Sequence, residues 1–146
     1  MKISDEWWTA PAEGNDGRLV IVPGRAAIDD IRTSGKYISR IDVSWRYNAL
    51  PDGMPEPADA ALMEQVDDAL KEAFRKDPAG VITGIYTGDG ERDWVIYTRS
   101  LHIFSKIFNR ALEELPTIPF VIDAESDPEW EEYRQMRAET YIAPGE

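Results

Sequence analysis

The residues with the most chemical potential in this chain are carboxylates. Eight of them, Glu113, Glu114, Asp123, Glu125, Asp127, Glu129, Glu131 and Glu132, fall between positions 113 and 132 with no Lys or Arg in between. Two carboxylates can act as the acid and base of a glycosidase, or can hold a largely hydrated Mg²⁺. The run Asp127-Pro128-Glu129-Trp130-Glu131-Glu132 lacks the spaced ligands and central glycine of a calcium-binding EF-hand loop. A catalytic pair needs a deep cleft, and no pattern in the sequence announces one. A solvated acidic face or a partner surface is the simpler reading, since a field of one sign steers association.

Other reactive side chains are sparse. His102 is the sole histidine, so no paired-histidine metal site can form, and Ser100 beside it has no nucleophile-elbow context. Gly84, Gly88 and Gly90 are not followed by Lys-Ser/Thr and precede a strand pattern, which fits a hairpin turn better than a phosphate loop. For a small carboxylate- or metal-assisted hydrolase the first candidates are Asp89, Arg92 and Asp127, with Arg92 placed to stabilise a developing oxyanion. No catalytic residue, metal set or cofactor fingerprint is otherwise defined, so no cofactor is expected.

Composition narrows the classes further. With 146 residues the chain is expected to form one domain. Sixteen basic against 28 acidic residues give a net charge of −12, which opposes binding to nucleic acid or to an anionic membrane surface. The absence of cysteine excludes disulfides, zinc–thiolate sites and a thiol nucleophile. Met1-Lys2-Ile3-Ser4-Asp5-Glu6 has no signal-peptide core and no apolar run reaches the ~20 residues of a membrane span. The default expectation is a cytoplasmic protein.

The elements that must position these groups follow from periodicity. Leu62, Val66, Ala69, Leu70, Ala73 and Phe74 make one stripe of a helix over 58–76, and Leu101, Phe104, Ile107, Phe108, Ala111 and Leu115 one of a helix over 101–115. Ser100 is the expected cap of the second and Pro116 its stop. Strands are expected over 37–47, 80–87, 94–98 and 120–124, and residues 6–9 can pair with 19–22 across the loop Ala10–Gly17. The adjacent Trp7 and Trp8 point to opposite faces of a strand, so one must be exposed or covered by another element. From Tyr37 the order strand, helix, strand, strand, helix, strand predicts an α+β fold, a ferredoxin-like βαββαβ two-layer sandwich with both helices on one face of an antiparallel sheet. The expected division is an N-terminal hairpin extension (1–36), the core (37–125), and a short helix and tail (126–146).

Several segments also resemble a known family. They are Leu50-Pro51-Asp52-Gly53-Met54-Pro55, Glu64 to Leu70, Gly84 to Thr98 with its Gly90-Glu91-Arg92 turn, and the closing Asp127-Pro128-Glu129-Trp130-Glu131-Glu132-Tyr133. Together with Glu6-Trp7-Trp8 they are similar to the bacterial domain of unknown function 695 family. Trp94 stands where that family usually has Phe or Tyr, and Met136-Arg137-Ala138 replaces its usual ending. The resemblance implies no established activity. Members found beside domains similar to an acidic ferredoxin-like inhibitor of ribonuclease E favour a regulatory or protein-binding module, by analogy of fold.

The leading expectation is therefore a non-catalytic, acidic binding or regulatory module whose partner is a basic protein surface. A small hydrolase is the alternative, and a structural homo-oligomer the second alternative. Asp89, Gly90, Arg92, Asp127, Trp130 and Tyr133 are the candidate partner surface or family motif. If the closing motif is structural, Trp130 and Tyr133 pack onto the body, Asp127 caps the short helix, and Glu129, Glu131 and Glu132 face water.

Overall fold

A computed structural model describes residues 3–14 and 17–141. Positions 15 and 16 of the expected first loop, the first two residues of the amino-terminal segment, and the tail after 141 lie outside the described residues. The strands are β1 (Glu6–Glu13), β2 (Leu19–Ala26), β3 (Ser39–Arg46), β4 (Gly80–Gly88), β5 (Glu91–Thr98) and β6 (Val121–Ser126). The helices are α1 (Asp29–Thr33), α2 (Pro57–Lys76), α3 (Leu101–Leu112) and α4 (Glu131–Thr140). All strands pair antiparallel in one sheet of order β1-β2-β4-β5-β3-β6. Among the described residues no helix is long and apolar enough to cross a membrane.

The protein is α+β with an antiparallel sheet, but the expected two-layer ferredoxin-like sandwich is not matched. The sheet has six strands, and helices lie on both of its faces. On one face Met63, Val66, Leu70 and Phe74 of α2 and Phe104 and Phe108 of α3 meet Ile41, Val43, Trp45, Ile82, Ile85, Trp94 and Ile96. On the other, Ile28, Ile31 and α4 residues Tyr133 and Met136 join Trp130 over Trp8, Val22, Val81, Val95 and Tyr97. The reason is apolar surface on both sides of the sheet: Val81, Val95 and Tyr97 point away from α2 and α3 and would meet water without α4.

Local chemistry explains the elements. Pro57 opens α2 at its first turn, and Ser100 caps α3 by accepting from the Ile103 N–H at 3.2 Å. The first hairpin is longer than expected: β1 runs through Pro11 to Glu13, which an edge strand tolerates because no ladder donor is needed on its open side. Trp8 lies flat over Gly24, its cross-strand partner, where a Cβ would fall 2.1 Å from the indole. Asp89 and Gly90 both have positive φ (53° and 80°), the two-residue turn that joins β4 to β5. Gly53, at φ 88°, leans on that turn: its carbonyl accepts from Gly90 N–H at 2.9 Å and from Tyr47 O–H at 2.7 Å.

Candidate functional site

Among the described residues both edges of the sheet pair on one side alone and half of the α4 face is uncovered, and that half is where polar groups gather. The register places Arg40, Asp42, Ser44 and Arg46 of β3 beside Glu91 and Asp93 of β5 on one side and Asp123 and Glu125 of β6 on the other. Helix α4 stops short of this area but sends Glu132 toward it. The six carboxylates Asp42, Glu91, Asp93, Asp123, Glu125 and Glu132 thus share the surface with two arginines. Both arginines are already engaged. Arg40 reaches Asp42 (3.3 Å), Glu125 (2.9 Å) and Asp127 (3.5 Å), and Arg46 reaches Glu91 (3.2 Å).

At one end this surface deepens into a recess of about 390 Å³, lined by Gly14, Val20, Tyr86, the turn 88–90, Arg46, Glu91 and Asp93. Gly88 belongs here for a steric reason: a Cβ on it would sit 2.5 Å from the Leu19 carbonyl oxygen. Asp93 is the unusual group. Burial pushes its carboxyl up to about 7, the neighbouring Glu91 and Asp42 add to the rise, and a Ser44 hydrogen bond only partly opposes it. Its Oδ1 is buried without a hydrogen-bond partner, as is Oε2 of Glu132. Glu132 is likewise raised by burial and by Asp42, against the lowering hydrogen bond it accepts from Tyr86. Asp42 is raised by burial, with Arg40 pulling the other way and Glu125 and Asp123 adding repulsion. The arrangement is a carboxyl-rich hollow short of positive charge, suited to accept a cation.

The residues singled out from the sequence do not assemble into one site. Asp89 sits in the β4–β5 turn at the rim of the recess, 3.8 Å from Arg18. Arg92 points to the opposite face, where it donates to Asp67 Oδ2 at 2.6 Å and to Thr87 and lies 5.1 Å above the Trp94 ring. Asp127 contacts the far end of β5, accepting from the Tyr97 hydroxyl at 2.6 Å. Five residues of strand, roughly 17 Å, separate Arg92 from Tyr97. The hydrolase arrangement of Asp89, Arg92 and Asp127 is therefore not formed. Gly90 serves the turn.

The closing motif packs onto the body of the domain. Trp130 and Tyr133 are each 1% exposed. The Trp130 indole stacks on Tyr97 at 4.3 Å between centroids and donates from Nε1 to the Tyr37 carbonyl at 2.7 Å. These contacts hold Trp130 in left-handed backbone (φ 55°), where a bulky residue is rarely found. Asp127 accepts from the N–H groups of Glu131 (2.9 Å) and Glu132 (3.4 Å), so it caps α4 from three residues before the formal cap. Burial alone would raise its carboxyl, but Tyr97, the two N–H groups and Arg40 hold it below the usual carboxylate value. Glu129 and Glu131 are exposed, as expected. Glu132 is not: it is half-buried against Tyr86, because β4 passes beneath the first turn of α4.

Two contributors to this chemistry, Asp93 and Asp67, are not marked by the sequence, and the inward setting of a third, Glu132, is not either. Asp93 was missed because the strand was started at Trp94; extending the alternation back to Glu91 puts Glu91, Asp93, Val95 and Tyr97 on one face. Asp67 accepts from Arg92 and from Trp94 Nε1 (2.7 Å), and its position four after Met63 and three before Leu70 places it in the buried stripe. Glu132 stands among the carboxylates of the acidic segment, but its spacing gives no sign that it turns inward to Tyr86.

Taken together, these features define a three-layer α+β domain with a carboxyl-rich hollow on one sheet face. A family model described as a family of unknown function (DUF695) matches residues 6–136, and the chain belongs to that family. No curated protein and no solved structure matches it.

Proposed function

We propose that this chain is a non-catalytic binding or regulatory module for a basic protein surface, and that a lysine or arginine side chain of the partner enters the recess beside Glu91 and Asp93. The observation that carries this reading is Asp93 itself. A carboxyl raised to about 7 by burial and, after that, by its carboxylate neighbours, with an oxygen left unpaired, gains most from an incoming cation. The five other carboxylates of this surface supply the field that brings such a partner in. A net charge of −12 and the absence of cysteine fit an acidic protein working in the cytoplasm.

Calorimetric titration with an unstructured Lys/Arg-rich peptide at low and raised salt tests this. Binding is expected at low salt and should weaken steeply once the Debye length shortens. Replacing Glu91 and Asp93 together by Gln and Asn should reduce the affinity about tenfold or more. Binding that ignores ionic strength, or that survives the double replacement, contradicts the proposal.

The hydrolase alternative keeps one supporting observation, an Asp93 carboxyl raised to about 7 beside Glu91, the makings of an acid next to a base. Against it, among the described residues no three His, Asp or Glu side chains are grouped to hold a metal ion, and no Ser–His pair stands in the recess.

A further inference from the structure

Strand β6 ends the sheet. It pairs with β3 alone among the described residues, and all six of its residues are exposed, including Val121 (59%) and Ile122 (47%). The direction of its free hydrogen-bonding groups can be worked out. Asp127 N–H donates to the Ile38 carbonyl at 2.8 Å, one step beyond the Ser39–Ser126 pair. In an antiparallel ladder, bonded and non-bonded pairs alternate. Glu125, Asp123 and Val121 therefore bond to β3, while Ile122, Ala124 and Ser126 turn both N–H and C=O away from it. These are three open donors and three open acceptors in a row.

The side chains on that strand are of two kinds. Ile122 and Ala124 share the face of Ile41 and Val43, whereas Asp123 and Glu125 share the face of Asp42 and Arg40. A strand added alongside would meet apolar groups on one face and carboxylates on the other. Self-pairing is disfavoured by the same charges. A two-fold pairing of β6 centred on Asp123 sets Asp123 against Asp123, and one centred on Ala124 sets Asp123 against Glu125 twice; like charges directly opposite are destabilising.

We infer that the outer edge of β6 takes up an extended segment of a basic protein as a seventh strand, one in which lysine or arginine alternates with apolar residues. The basic positions face Asp123 and Glu125 and the apolar positions face Ile122, while backbone bonds to Ile122, Ala124 and Ser126 supply the common part of the affinity. The charge preference rests on the binding function proposed above; the strand-addition mode is additional to it and can fail alone.

The test uses the full chain and a capped peptide of alternating lysine and valine, with a peptide of equal composition but blocked sequence as control. Amide hydrogen exchange by NMR should show protection of Ile122, Ala124 and Ser126 with the alternating peptide only. Ala124→Pro removes an outward donor without touching the β3 ladder, and should weaken that peptide about tenfold while leaving the blocked peptide unaffected. Peptides N-methylated on one alternate set of residues should bind, and those methylated on the other set should not; this arm holds even if Ala124→Pro does not fold. If the alternating peptide binds in a salt-dependent way but the three amides exchange as in the free protein, strand addition is overturned and the acidic binding module stands. If no basic peptide binds at low salt, the binding module falls with it. Protection of the same amides that grows with protein concentration, without peptide, would assign the edge to a second copy instead.

Discussion

The Asp67 carboxylate accepts a hydrogen bond from the Trp94 indole Nε1 at 2.7 Å, and with its other oxygen it binds the Arg92 guanidinium at 2.6 Å. One carboxylate of α2 thereby pairs with both a fully buried tryptophan and an arginine whose side chain is only 13% exposed. Asp67→Ala should leave a buried cation and an indole N–H unpaired and cost about 3 kcal/mol, measurable by urea unfolding. Asp67→Asn keeps an acceptor for one of the two and should cost roughly half of that. If Asp67→Ala unfolds at the urea midpoint of the parent, the pairing has no structural weight.

At the other end of the molecule, Trp130→Ala should cost about 3–5 kcal/mol, since it empties a packed site between Tyr97 and Tyr133. Thermal unfolding decides this, and an unchanged melting temperature would refute the structural role of the closing motif. Asp127→Ala removes a cap and the acceptor for Tyr97 and should cost about 2 kcal/mol near neutral pH. Because the folded carboxyl of Asp127 is held below its unfolded value, its contribution is present above about pH 4 and is lost as pH falls through the folded value. The parent and Asp127→Ala should therefore converge in stability in acid.

Asp93 has the opposite sign. Its folded pKa, about 7, lies above the unfolded value near 4, so between these pH values the folded protein holds a proton that the unfolded chain has released. Its contribution to stability falls as pH rises through that window. Asp93→Asn should match the parent below about pH 4 and be the more stable of the two at pH 8. Unfolding curves at the two pH values check this, and a destabilised Asp93→Asn at pH 8 would show that Asp93 is ionised and paired in the fold.

Gly24→Ala would drive a methyl group to 2.1 Å from the Trp8 ring. The indole is held from its far side by the Thr140 hydroxyl at 3.0 Å and edge-on by Tyr141, so it has little room to retreat. A loss of about 3 kcal/mol is expected, with a changed Trp8 fluorescence. An unperturbed variant would mean that the hairpin β1–β2 shifts freely over α4.

Periodicity made the two long helices and the strand order legible, because Val66, Leu70 and Phe74 repeat at helical spacing and Ile41, Val43 and Trp45 alternate. What stayed hidden was the second covered face. Trp8, Val81 and the pair Val95 and Tyr97 belong to three different strands, and only the folded sheet brings them under α4. Trp7 and Trp8 show the same limit. The sequence demanded a cover for one of them, and the fold covers both: Trp8 beneath α4, Trp7 between Arg25 and Lys71 at 4.8 and 4.6 Å. The stripe of Leu62, Val66, Leu70 and Phe74 does not single out Asp67; with the buried Met63 included, the carboxylate falls among buried positions. The recess depends on the pairing of β3 with β5, a contact between residues about fifty positions apart that no local pattern specifies.

The most direct measurement of the central claim is a chemical-shift titration of the ¹⁵N-labelled protein with a Lys/Arg-rich peptide at low salt. The expected result is a cluster of shifted amides at Asp42, Tyr86, Glu91, Asp93 and Asp123, with the Asp93 carboxyl losing its proton at a lower pH once the peptide is bound. Shifts gathered instead at the groove between β1 and α2, around Ser4, Arg25 and Lys71, or no saturable shifts at all, would contradict the assignment of the acidic hollow as the binding surface.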